Sequence, residues 1–325
     1  MSVTLADIEA AAQRLDGVAV RTPLLESPAL NDAAGHRVLL KPECLQRTGS
    51  FKIRGAYNLL RRLPRDVAKR GVVAWSSGNH AQGVACAAKL LGVQAAIVMP
   101  SDAPAVKRDA TQRMGGEVIA YDRYSGDREV IARALAAERG AALVPSYEHP
   151  DIIAGQGTVG LEIADELAAR GLVPGRVVIP CGGGGLSSGT GLALRTRFPG
   201  CAPLLVEPAA FDDTVRSLAS GRRESIDPAS RSICDALQTP SPGEMTLAIN
   251  RSLGADAVAV SDAEVRAAMR FAFRELKLVV EPGGAAALAA TLAGRVTAGD
   301  GVSVVVLSGG NVDAALFAEI QAEPN

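Results

Sequence analysis

Val72-Val73-Ala74-Trp75, then Ala81 to Leu91, then Ala95-Ala96-Ile97-Val98-Met99 form a strand-length apolar run, a stretch of helical periodicity and a second apolar strand. The strands lack the in-out alternation of a half-exposed sheet. A continuous apolar strand followed by an amphipathic helix is the mark of a parallel sheet covered on both faces. The pattern continues outward on both sides. Downstream the spacing predicts a helix over 105–114, a strand over 118–120, a helix over 128–138 and a strand over 142–144. A long helix over 151–169, the strand 177–179, a helix from 185 and the strand 204–206 follow, then helices over 262–276 and 284–292 and a last strand over 302–307. Upstream lie a helix opened by a Thr4–Asp7 capping box, a strand over 38–40 and a helix from Lys52 to about Leu63. The polar segment 221–243 reads as an irregular excursion. The expectation is an α/β fold with two subdomains, a size of 325 residues being ample for both.

Composition excludes several classes. Lys and Arg number 34 against 35 Asp and Glu, with no basic block, so neither nucleic acid nor an anionic membrane is an expected partner. No apolar run is long enough to span a bilayer, and the N-terminus lacks the pattern of a signal peptide. Cys44, Cys86, Cys181, Cys201 and Cys234 form no C-x-x-C pair, and His36, His80 and His149 are scattered. A zinc site or disulfide framework is not expected, and reduced thiols fit a cytoplasmic protein.

Chemistry concentrates in four places. Thr48-Gly49-Ser50-Phe51-Lys52-Ile53-Arg54-Gly55-Ala56 puts a lysine at a helix mouth with little polar cover. Burial would lower its pKa and leave an amine able to attack carbonyls, although a structural lysine satisfies the same pattern. The other three lie after apolar strands, where open parallel sheets bind ligands. Gly182-Gly183-Gly184-Gly185-Leu186 can converge backbone N–H groups at a helix start to cradle a phosphate, or serve simply as a turn. It is neither a Walker loop nor a dinucleotide fingerprint. Ser76-Ser77-Gly78-Asn79-His80 can bind a carboxylate or merely cap a helix. Ser308-Gly309-Gly310-Asn311 follows the last strand.

Taken together, these four motifs resemble the signature set of pyridoxal 5'-phosphate (PLP) enzymes of fold type II. Within that family they are most similar to the threonine/serine dehydratase (ammonia-lyase) and serine racemase branch. The resemblance runs from about residue 4 to 320. It implies the tryptophan synthase β-like architecture, with residues 1–70 and 148–325 as a large PLP-binding domain and 71–147 as a small inserted one. It implies that Lys52 carries PLP as a Schiff base and acts as base at Cα. Phe51 would pack near the ring, Asn79 would bond the ring hydroxyl, Gly182, Gly183, Gly184, Gly185 and Leu186 would hold the phosphate, and Ser308 would contact the pyridine nitrogen. A neutral serine there makes a shallower electron sink than a carboxylate would, which favours β-elimination over transamination.

Ser76, Ser77, Asn79 and His80 would hold the substrate carboxylate. Ser77 would also stand as acid/base on the cofactor face opposite Lys52. Glu207, Asp213 and the Phe211 carbonyl match a divalent-cation site of racemase-like relatives, for Mg²⁺ or Ca²⁺. The implied reaction is dehydration and deamination of L-threonine, L-serine or a related 3-hydroxy amino acid by a homodimer or homotetramer. Serine racemase and 3-hydroxyaspartate dehydratase are the alternatives, and a non-catalytic PLP-binding protein is the rival from another class. Two departures bear on substrate choice: Ile233-Cys234-Asp235-Ala236, where many relatives read Ile-Ala-Asp-Gly, and the segment 238–244. With the chain ending soon after Asn311, a C-terminal regulatory domain is not expected.

Overall fold

The computed structural model describes residues 3–76, 78–103, 105–122, 125–227, 229–297 and 299–324. Two sheets organise them. The larger has six strands in the order β1 (Leu25–Glu26), β2 (Val38–Pro42), β10 (Val302–Leu307), β7 (Pro174–Pro180), β8 (Pro203–Pro208) and β9 (Asp256–Val260). All pair in parallel except β1, which is antiparallel to β2. The smaller has the order β5 (Gly116–Tyr121), β4 (Ala95–Pro100), β3 (Val72–Trp75) and β6 (Ala142–Leu143), all parallel.

The apolar strands are explained by helices on both faces. Successive side chains of a strand point to opposite faces. Val305 and Leu307 of β10 therefore join one core cluster with Val265 and Met269 of the helix Asp262–Arg274 and the alanine run Ala285–Ala290. Val304 and Val306 join another with Val159, Ile163 and Leu167 of the helix Pro150–Ala169. The smaller sheet repeats the arrangement. Val72, Ala74, Ile97 and Met99 face Ala81, Val84 and Ala88, whereas Val73, Ala96 and Val98 face Ala132 and Ala136.

The helix Lys52–Arg62 packs Ile53, Ala56, Leu59 and Leu60 into the first of these smaller-sheet clusters. The chain enters it through an antiparallel bridge, Ser50 to Gly309. Lys52 is thereby held at the carboxyl ends of strands from both sheets.

The structure departs from the sequence expectation in specific places. The helix after β3 begins at Asn79, two residues early, so Asn79 and His80 occupy its first turn. Strands β1 and β9 and the helices Pro28–Ala34, Asp213–Ser220, Glu244–Ser252 and Ala314–Ala322 were not legible as periodic runs. Each is short, and β9 is only partly covered. The excursion 221–243 is irregular apart from a 3₁₀ turn at Asp235–Leu237. Among the described residues no helix is long and apolar enough to cross a membrane, and all five cysteines are free thiols.

Candidate active site

Lys52 opens onto a cavity of about 710 Å³ and onto a smaller one of about 70 Å³ beneath it. Its Nζ donates to the Ser146 carbonyl at 3.1 Å and lies 5.1 Å from the centre of the Phe51 ring. Burial pulls its pKa down to about 8, against the opposing pull of the Glu281 charge. Such an amine is a competent nucleophile and base near neutrality.

The smaller cavity joins Lys52 to the glycine bend. Phe51, Asn79, Tyr147, Gly182 to Ser187 and Ser308 line it. Gly184 has φ of +89°, which only glycine adopts without strain, and the helix Gly185–Arg197 starts immediately after. A Cβ at Gly183 would lie 2.3 Å from the Tyr147 ring. Among the described residues no turn or loop hydrogen bond uses the N–H groups of Gly182 to Leu186. A bend with free donors at a positive helix end, beside a lysine, fits a phosphate-bearing aldehyde cofactor.

Ser308 is buried, and its carbonyl accepts the Phe51 N–H at 3.3 Å. The Asn79 amide is held at both ends. Its Nδ2 donates to Glu281 Oε1 at 2.5 Å, and its Oδ1 accepts from Asn311 Nδ2 at 2.7 Å. His80 lines the larger cavity, but its Nε2–H is committed to the Val144 carbonyl at 2.8 Å. Burial, with the charge of Lys52, lowers its pKa to about 3, so the ring is neutral. The Ser76 hydroxyl accepts from the Gly78 N–H at 3.2 Å. Ser77 lies outside the described residues.

Glu207, at the end of β8, and Asp213, first residue of the helix Asp213–Ser220, form a separate buried pair. Glu207 accepts the N–H groups of Thr214 and Val215 at 3.1 and 2.9 Å, whereas neither oxygen of Asp213 has a partner. Burial raises both carboxyls well above their usual range, and for Glu207 the charge of Asp213 adds to it. A buried carboxyl without partners beside a second buried carboxyl fits a hard divalent cation. Phe211 lies between them in sequence and is buried alongside.

Several members of the site were not read from sequence. Ser146, Tyr147 and Gln156 approach the bend, and Glu281 reaches the cavity from the start of another helix. Lys107 pairs with Asp235 across the cavity. The Glu281-Pro282 pair is a helix-start signal, and nothing local says that the carboxylate turns away from its own helix.

A family model described as pyridoxal-phosphate dependent enzyme matches residues 15–309. An L-threo-3-hydroxyaspartate ammonia-lyase of Pseudomonas sp is 46% identical over 316 residues, 97% of each chain. One of Saccharomyces cerevisiae is 43% identical over 317 residues, 98% of this chain and 96% of that one. Among solved structures, a T.th. threonine deaminase superimposes with a TM-score of 0.89 at 43% identity, covering 95% of this chain and 99% of that one. Maize serine racemase superimposes with a TM-score of 0.92 at 34% identity, covering 98% and 97%. With a lysine beside a glycine bend on this two-sheet scaffold, the chain belongs to the pyridoxal-phosphate dependent enzymes of fold type II, in the branch of the ammonia-lyases and serine racemases.

Proposed function

We propose that the protein is an ammonia-lyase that removes the β-hydroxyl of a 3-hydroxy amino acid carrying a second carboxylate, L-threo-3-hydroxyaspartate, and releases a 2-oxo acid and ammonia. One observation carries the narrower substrate. Lys107, Arg128, Arg133 and Arg223 line the 710 Å³ cavity into which Lys52 opens. Lys107 and Arg133 are paired with Asp235 and Glu129, and Arg223 lies 3.8 Å from Glu244. Arg128 has no carboxylate partner among the described residues. A guanidinium without a partner on a cavity wall suits a carboxylate on the substrate. The names of the Pseudomonas and yeast relatives support the same substrate. L-Threonine and L-serine are the wider class from which it must be distinguished.

When bound, pyridoxal phosphate supplies the electron sink for charge left at Cα. The chain supplies the rest. The bend from Gly182 to Leu186 binds the phosphate, and Phe51 and Ser308 bound the ring. Lys52 would hold the cofactor, and its free amine is the group placed to take the Cα proton. Burial favours the free amine at this position over that of an ordinary lysine. Ser76 and the free N–H groups at the start of the helix Asn79–Leu91 hold the substrate carboxylate, with His80 as a neutral neighbour. Ser77 shares the substrate carboxylate in this reading, and its acid/base role opposite Lys52 belongs to the alternative of a serine racemase.

Glu207, Asp213 and the Phe211 carbonyl are the proposed ligands of Mg²⁺ or Ca²⁺. The reading also takes 71–147 as the small domain, a homodimer or homotetramer as the assembly and the cytoplasm as the location, the last supported by the free cysteines.

The test is keto-acid release from a panel of L-threo-3-hydroxyaspartate, L-threonine and L-serine, with R128M alongside. We expect kcat/KM for hydroxyaspartate to exceed the others at least tenfold, and R128M to remove that preference by raising KM. Equal or better turnover of threonine or serine refutes the narrower substrate. No keto acid from any of the three, with the cofactor bound, points to a non-catalytic binding protein.

A further inference from the structure

Glu281 occupies the N-cap position of the helix Pro282–Leu292, yet its side chain makes no capping bond to that helix. A carboxylate at this position would ordinarily bond the N–H groups of the first turn. Here it turns into the active site and is only 3% exposed. Room for it is built in. A Cβ at Gly309 would fall 2.1 Å from Glu281 Oε1, and the Gly309 carbonyl accepts the Glu281 N–H at 3.1 Å.

What the carboxylate does there follows from hydrogen-bond polarity. The Thr48 carbonyl can only accept, so it fixes the NH₂ end of Asn311 at 2.8 Å. The same NH₂ donates to Asn79 Oδ1 at 2.7 Å, which fixes the carbonyl end of Asn79. The opposite end of Asn79 must then be its NH₂, and Glu281 accepts one of its two hydrogens at 2.5 Å. The second hydrogen remains for the cavity. Asn79 begins the helix that follows β3 of the smaller sheet, whereas Glu281 and Asn311 stand on the larger-sheet side. The chain Thr48–Asn311–Asn79–Glu281 therefore sets both the amide orientation and its place between the sheets.

We propose that Glu281 is a positioning residue that locks the Asn79 amide so that its remaining N–H addresses the ring hydroxyl of bound pyridoxal phosphate. This rests on the reading of Asn79 as a cofactor contact.

The test is the PLP dissociation constant, titrated by absorbance with no amino acid present, for wild type, E281A, N79A and the double variant. Both single variants are expected to bind PLP about tenfold more weakly, about 1.4 kcal/mol. The double variant should be no weaker than either single one, because both remove the same contact. E281Q keeps an acceptor and should restore affinity to within about threefold. Should E281A not fold, E281D replaces it, since the withdrawn carboxylate no longer reaches Asn79, and the same loss is expected. Wild-type affinity in E281A or E281D with a weakened N79A overturns the role of Glu281 alone. Losses that multiply in the double variant also overturn it. Wild-type affinity in N79A overturns it together with the reading of Asn79.

Discussion

Arg54→Met should be among the most damaging single changes outside the cavities, and its size can be worked from one buried cluster. The Arg54 guanidinium is 1% exposed and donates to Glu43 Oε1 and Oε2, both at 2.8 Å. It also donates to Glu162 Oε1 and Oε2 at 2.7 and 2.9 Å, and to Thr158 Oγ1 at 3.1 Å. Lys41 pairs with Glu162 at 2.6 Å. Two cations thus balance two anions. Burial alone would raise the Glu43 carboxyl, but the charge and hydrogen bonds of Arg54, helped by Lys41, hold it below the usual range. Methionine fills similar volume and leaves Glu43 with the Thr22 hydroxyl at 2.7 Å and a long contact to Gln46 at 3.4 Å. Removing one partner of a buried pair costs about 3–5 kcal/mol, because the other charge is stranded. The expected loss is about 4–7 °C in Tm for a chain of this length, read by calorimetry or circular dichroism.

Two controls sharpen this expectation. The double variant E43Q/R54M strands no charge and should recover a substantial part of the loss. The deficit of R54M should also be larger at pH 8 than at pH 5. In wild type Arg54 holds the Glu43 pKa below its usual range, so the carboxylate stays ionised at both pH values; in R54M burial is left largely unopposed and raises that pKa, so acidification neutralises the stranded charge and narrows the gap between the two proteins. A Tm within about 2 °C of wild type at pH 8, or no recovery in the double variant, refutes the reasoning.

Three further outcomes follow from the site. The rate at which apoprotein forms a borohydride-trappable adduct with PLP should rise with pH through a midpoint of about 8, because burial lowers the Lys52 pKa and only its free amine reacts; a midpoint at the ordinary lysine value, or an adduct persisting in K52A, contradicts this. Gly183→Ala drives a Cβ to 2.3 Å from the Tyr147 ring and should weaken PLP binding at least about tenfold with the fold intact, measured by absorbance titration beside circular dichroism. Millimolar Mg²⁺ or Ca²⁺ should raise Tm by several degrees over an EDTA-treated sample, since a ligand at about 100 times its Kd stabilises by about 2.7 kcal/mol; D213N should abolish the rise, and an equal rise in D213N removes the cation from the Glu207–Asp213 pair.

Strand and helix order was legible because burial on both faces favours continuous apolar strands, as at Val72–Trp75 and Ala95–Pro100. The glycine bend was legible for a related reason: Gly184 at φ +89° and Gly183 against Tyr147 leave no room for other residues. Lys52 stood out because its flanking residues are apolar. Short elements such as β1 and the helix Asp213–Ser220 carry too few residues to establish a period.

By itself, then, the order of residues determined the parallel α/β class and pointed to a glycine bend and a lysine as candidates for anion binding and reaction, since each depends on a local stereochemical or hydrophobic need. Tertiary structure alone decided the partnerships. Glu281 reads as a helix cap until the fold shows it spanning 202 positions to Asn79. Arg54 reads as one charge on a helix until Glu43 and Glu162 close around it. The physical reason is that a charge can be buried only when its counter-charge arrives with it, and that arrival comes from distant parts of the chain with no periodicity to announce it.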